Sequence, residues 1–207
     1  MLAGGDEFKP GNEAQDRFLI DRRGSGPAYL LVTANSKHPD MAMDFGRRWF
    51  TQLGLNVAEL RVRTSEEAHA ASQVELARKA GLFYLAGGNP GHIVEILKGT
   101  PVWQAMVEAW KGGAALAGSS AGAMAFGEWT LVEAPGKDQR RPLEALGLLP
   151  YTAVLPHFST SGRGWIPSVR QVLGPAARLV GIDERTAYIK DGEDWNVLGQ
   201  GDVHLEI

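Results

Sequence analysis

Ser120 lies in Gly118-Ser119-Ser120-Ala121-Gly122, a G-x-S-x-G spacing in which glycines flank a serine on a tight strand-to-helix turn. Such a turn exposes the hydroxyl at a strand end and leaves the N–H of the next residue, Ala121, free to hold an oxyanion. Ser119 fits the spacing less well and reads as a turn residue. A serine needs a base to act as a nucleophile, and histidine is the usual one near neutral pH. Of the five histidines, His38, His69, His92 and His204 read as surface or packing residues. His157 differs because it follows the apolar run Ala153-Val154-Leu155-Pro156 and therefore stands at a strand end. The base in turn needs an acceptor on its other nitrogen. Asp183 and Glu184 end another apolar run, and their side chains point opposite ways on an extended segment, so only one of them can face His157. Asn89, in the turn Ala86-Gly87-Gly88-Asn89-Pro90, and Arg163, after the histidine, are candidates for contacts to substrate.

These groups need a scaffold that gathers strand ends on one face. Short apolar runs at 28–34, 56–62, 81–86 and 114–118 alternate with helical patterns at 40–53, 65–80 and 92–110. The alternation predicts an α/β fold, doubly wound, with a mostly parallel central sheet and helices on both faces. Shorter strands follow at 129–133, 153–156, 180–182, 187–189, 197–198 and 203–207. The segment 133–142 reads as an exposed loop, and 1–5 as coil rather than strand. In such a sheet, ligands collect outside the carboxyl ends of the strands, where helix N-termini point unpaired N–H groups at the cleft.

The 207 residues, 44% hydrophobic and 22% charged, suit a single domain spanning 1–207. With no cysteine, any nucleophile must be oxygen or nitrogen, and thiolate metal sites are excluded. Neither a metal nor another cofactor is expected, since there is no H-E-x-x-H motif or closely spaced ligand set. A net charge of −3 offers no basic stripe for nucleic acid, and no long apolar run suggests a membrane span. The expectation is a cytoplasmic protein acting on a small peptide, with a homodimer as one arrangement.

Taken together, LAGG at 2–5, EF at 7–8, FYLAGGNPGHIVEILKGT at 83–100, AGSSAGAMAFG at 117–127, EALGLLPYTAVLPHF at 144–158 and VGIDERTAYI at 180–189 resemble peptidase family S51, the aspartyl dipeptidases (peptidase E) and cyanophycinases. The resemblance implies a fold like that of class I glutamine amidotransferases and a Ser-His-Glu triad of Ser120, His157 and Glu184. It also implies an oxyanion hole from the N–H groups of Gly88 and Ala121. The expected activity is serine-type hydrolysis of a peptide or isopeptide bond in a small, Asp-containing peptide. The alternative is a catalytically silent or sensory protein that binds a small metabolite on the same fold. The chain departs from the cyanophycinase pattern at Leu155-Pro156, where acidic and amide residues precede the histidine, and only Arg163 and Arg170 stand nearby in place of an arginine set. These departures bear on the substrate rather than on the chemistry.

Overall fold

The computed structural model describes residues 1–35, 37–134 and 140–205. Its elements in chain order are β1 (Leu2–Ala3), α1 (Glu13–Asp21), β2 (Ala28–Leu31), α2 (Pro39–Gln52), β3 (Val57–Glu59), α3 (Ser65–His69), α4 (Ala71–Arg78), β4 (Leu82–Leu85), α5 (Pro90–Leu97), α6 (Pro101–Lys111), β5 (Ala115–Ser119) and α7 (Ala121–Ala125). Then follow β6 (Gly127–Glu133), β7 (Arg140–Glu144), β8 (Leu149–Leu155), α8 (Ile166–Leu173), β9 (Arg178–Ile182), β10 (Thr186–Asp191), β11 (Asp194–Gly199) and β12 (Val203–His204).

The strands form a seven-stranded sheet in the order β11-β10-β1-β5-β4-β2-β3 and a five-stranded sheet in the order β12-β9-β8-β6-β7. From β1 to β3 every pairing in the first sheet is parallel, and β10 and β11 add antiparallel strands beyond β1. β2 (AYLL) and β4 (LFYL) are buried at every position, as parallel strands covered on both faces must be. Their alternate residues feed two different cores. Leu30, Leu82 and Tyr84 pack with Trp49 and Phe50 of α2. Tyr29, Leu31, Phe83 and Leu85 pack on the opposite face with Ile93 and Met106 of α5 and α6. That second core continues into Val154, Val180 and Ile182 of the smaller sheet. The other face of the smaller sheet packs Leu131, Leu155 and Leu179 with Val169 of α8.

Several elements differ from the sequence expectation. Residues 2–3 are an interior strand of the main sheet rather than coil, because β5 and β10 supply a partner on each side of a segment too short to declare itself. The expected helix at 65–80 breaks at Ala70, whose ψ of 124° is extended. The helix at 92–110 breaks at Lys98–Thr100, where Gly99 has φ +74° and Thr100 caps the next helix by accepting from the Trp103 N–H. α1 and α8 are additional helices. Within the expected loop 133–142, Arg140 onward is β7, paired antiparallel with β6. Residues 135–139 of that loop, and 206–207 of the expected last strand, lie outside the described residues.

Candidate active site

β4 and β5 are neighbours whose ladder ends at the pair Leu85 and Gly118, and each is followed at once by a glycine-bearing turn. In the turn after β5, Ser120 has φ 50° and ψ −112°, a region that costs a non-glycine residue about 1–3 kcal/mol. Both flanking glycines are required by space. A Cβ on Gly118 would stand 2.4 Å from the Gly122 carbonyl carbon, and one on Gly122 would stand 2.2 Å from the Leu85 carbonyl oxygen. The strand and the helix α7 therefore meet at backbone contact, and the serine is pushed out at their junction.

The Ser120 Oγ lies 3.0 Å from His157 Nε2, and His157 Nδ1 lies 2.7 Å from Glu184 Oε1. His157 follows β8 with φ 49°, its N–H donating to the Gly4 carbonyl at 2.7 Å. Its own carbonyl accepts from the N–H groups of Thr160, Ser161 and Gly162, which closes a tight turn around the histidine. The Thr160 hydroxyl donates to Glu184 Oε1 at 3.3 Å, a second fixing of that carboxylate. Asp183 faces elsewhere. Its carboxylate accepts from the N–H groups of Ser159 at 3.0 Å and Asp202 at 3.1 Å, and His204 Nε2 stands 3.4 Å away. Burial raises its pKa, but the Asp202 N–H, His204 and Ser159 outweigh burial and hold it below the ordinary range. Of the two acids at the end of β9, the structure thus brings Glu184 to His157 and spends Asp183 on bracing the loops around it.

Gly88 has φ +143°, and a Cβ there would stand 2.3 Å from the Ala34 carbonyl oxygen. Among the described residues, the N–H groups of Gly88 and Ala121 make no hydrogen bond, although both line or adjoin the cleft at Ser120. Asn89 also lines this cleft and caps α5, its side-chain oxygen accepting from the N–H groups of Gly91 and His92. Arg163 is not brought there. It is exposed, with its guanidinium 5.2 Å from the centre of the Phe158 ring.

The cleft has a volume of about 980 Å³ and is bounded by the turns after β4 and β5, by His157, and by β6 and β7. Among the described residues its cations are Lys37, Arg140 and Arg141, with His38 and His92 beside them; from the sequence both arginines are expected in a loop and both histidines on the surface or in packing. Arg140 lies over Trp165, 4.9 Å from its ring centre, and pairs with Glu133 at 3.6 Å. The only advance signal for the arginines was the pair Arg140-Arg141 itself, because 133–142 shows no alternation of polar and apolar residues. Among the described residues there is no cluster of histidine and carboxylate side chains fit to hold a metal ion.

A strained serine at a strand-to-helix turn, hydrogen-bonded to a histidine that is hydrogen-bonded to a glutamate, is an arrangement for nucleophilic acyl transfer. The model of peptidase family S51 matches residues 1–198. The chain belongs to peptidase family S51. An S51 relative by sequence is the cyanophycinase of Synechococcus elongatus, 28% identical over 217 aligned positions that cover 99% of this chain and 66% of the relative. The chain therefore spans just under two thirds of that protein's length. A cyanophycinase of Thermosynechococcus vestitus matches equally. The crystal structure of a peptidase from an acI-B1 Actinobacterium superposes with a TM-score of 0.86 at 30% identity, covering 99% of this chain and 88% of that one. A putative peptidase E protein from Listeria monocytogenes shares the fold, with a TM-score of 0.68 at 17% identity over 97% of both chains. No helix among the described residues is long and apolar enough to cross a membrane.

Proposed function

We propose that this S51 chain is a serine peptidase hydrolysing a peptide or isopeptide bond in a small peptide, with Ser120, His157 and Glu184 as its triad. The observation that carries the reading is the hydrogen-bonded series Ser120 Oγ, His157 Nε2, His157 Nδ1 and Glu184 Oε1 at the floor of an open cleft. His157 Nε2 takes the hydroxyl proton as Ser120 Oγ attacks the carbonyl carbon, and Glu184 holds the ring with Nδ1 protonated and balances the imidazolium charge. The carbonyl oxygen, now anionic, accepts from the N–H groups of Gly88 and Ala121, at about 3 kcal/mol per donor in comparable sites. The imidazolium then protonates the leaving amine, the carbon–nitrogen bond breaks, and an acyl-enzyme ester remains. Water attacks that ester with His157 again as base, and the acid product leaves.

A cleft of this volume suits a ligand of dipeptide or tripeptide size. Arg140 and Arg141 favour a substrate with a carboxylate within their reach, which is consistent with an Asp-containing peptide. Asn89 lines the same space while its side-chain oxygen caps α5. Treatment with a fluorophosphonate, followed by intact mass, tests the nucleophile: one adduct is expected on the wild type and none on Ser120→Ala. A dipeptide library, acidic members first, tests the substrate. Absence of both adduct and hydrolysis would refute the reading.

A further inference from the structure

We propose that Glu7 is a positioning residue for the reaction, a strap that ties the turn carrying the oxyanion donor Gly88 to the turn carrying Ser120. The inference rests on the serine-peptidase reading above. Because β1 lies between β5 and β10, the chain leaving it runs across the carboxyl ends of the strands and touches each part of the site in turn. The Gly4 carbonyl accepts from the His157 N–H. Gly5 faces the imidazole so closely that a Cβ would stand 2.3 Å from His157 Cε1. The Asp6 carboxylate pairs with Arg185, next to Glu184, at 2.7 Å. Glu7 then reaches the two turns: its Oε1 accepts from the Gly87 N–H at 2.7 Å and its Oε2 from the Ser119 hydroxyl at 3.0 Å. Phe8 anchors the far side, packing on Tyr84 and Phe50.

Gly87 and Ser119 are the residues immediately before Gly88 and Ser120. The ladder between β4 and β5 has already ended at Leu85 and Gly118, so it does not fix the separation of the two turns beyond that pair. A single carboxylate bridges them there, with both of its oxygens engaged. Gly87 has to be glycine for the approach, since a Cβ would stand 2.6 Å from Glu7 Oε1 and 3.2 Å from Ser120 Cβ. The turn is also held in a conformation that L residues rarely adopt, with φ 60° at Asp6 and 59° at Phe8 on either side of Glu7. An oxyanion donor and a nucleophile must keep their relation to within a fraction of an ångström. Glu7 supplies that relation through geometry, because its charge would oppose a developing oxyanion.

The test uses the full chain as wild type, Glu7→Ala, Glu7→Gln and Ser119→Ala, each checked by thermal unfolding. Each form is reacted with a fluorophosphonate, whose phosphonyl oxygen enters the oxyanion hole as Ser120 attacks, and kcat and KM are measured separately on a hydrolysed peptide. Glu7→Ala is expected to slow labelling and lower kcat by about 100-fold with little change in KM, the cost of misplacing a reacting group by about 1 Å. Glu7→Gln is expected to restore most of the rate, its carbonyl accepting from Gly87 and its amide donating to the Ser119 oxygen. Ser119→Ala, which deletes one of the two bonds, is expected to fall between them and decides the matter if Glu7→Ala does not fold. Labelling at the wild-type rate in folded Glu7→Ala or Ser119→Ala, a loss confined to KM, or a Glu7→Gln as slow as Glu7→Ala would each overturn the strap while the serine-peptidase reading stands. A wild type that neither labels nor hydrolyses overturns that reading, and the strap with it.

Discussion

Replacing Asp16 by asparagine is expected to remove a pH dependence of stability between about pH 4 and 7. Asp16, in α1, is 1% exposed. One of its oxygens accepts from Trp49 Nε1 at 2.7 Å, and the other has no partner among the described residues. Burial pushes its carboxyl from 3.8 up to about 7, opposed by the Trp49 hydrogen bond and helped by the negative charges of Glu7 and Glu13. In the unfolded chain the proton leaves near the ordinary value. Between the two pKa values the folded protein holds a proton that the unfolded chain has released, so stability falls as pH rises through the window. At about 1.4 kcal/mol per pH unit over roughly three units, the loss amounts to about 4 kcal/mol. Below the window both states are protonated and above it both are ionised, so neither side adds more. Asparagine has the same shape, can still accept from Trp49 and carries no titratable proton. The difference in unfolding free energy between variant and wild type should therefore shift towards the variant by about 4 kcal/mol from pH 4 to 7 and then level off. Urea unfolding followed by tryptophan fluorescence across pH 4 to 8 measures it. A difference that stays constant, or one that favours Asp16 as pH rises, would refute the argument.

Glu184→Gln should lower kcat by about 10⁴-fold, whereas Asp183→Asn should leave the proton relay in place and chiefly lower stability, as kcat and urea midpoints measured on the pair will show. Gly122→Ala forces a Cβ to within 2.2 Å of the Leu85 carbonyl oxygen, so Ser120 labelling by a fluorophosphonate should drop by at least about 100-fold. Arg163→Ala should leave KM for an acidic peptide unchanged, while Arg141→Ala, in the cleft, should raise it by about tenfold, a comparison made by steady-state kinetics.

The strand-end logic of the sequence singled out the candidate triad because apolar runs followed by glycine, histidine or acid are local signals. Ser120, His157 and Glu184 each close such a run, and the structure brings them to hydrogen-bonding distance. Between Asp183 and Glu184 periodicity could say only that they point apart. The choice depends on Ser159, Asp202 and His204, which claim Asp183 from distant parts of the chain. Glu7 was equally hidden, since nothing near it in the sequence mentions Gly87 or Ser119. Arg140 and Arg141 were illegible for another reason: β7 is an edge strand with no fully buried residue, so its pattern resembles a loop. The break before α6 was readable in Gly99-Thr100-Pro101, a glycine, a cap and a proline, and the long apolar periodicity on either side masked it.

The placement of β1 also bears on the order of events in folding. This two-residue strand pairs Leu2 with Gly118 on one side and Tyr188 on the other, so its ladders close loops that run most of the way along the chain. Such contacts come at high loop-closure entropy and form late. Helices such as α2 and α6 need only local contacts and can precede them. The turn that fits around His157 and Glu184 follows directly from β1, so on the proposed triad a reactive Ser120 is expected among the last properties the chain acquires. During refolding, helical circular dichroism should recover before Ser120 becomes competent to react, and a partly folded chain would hold its hydroxyl without the means to use it.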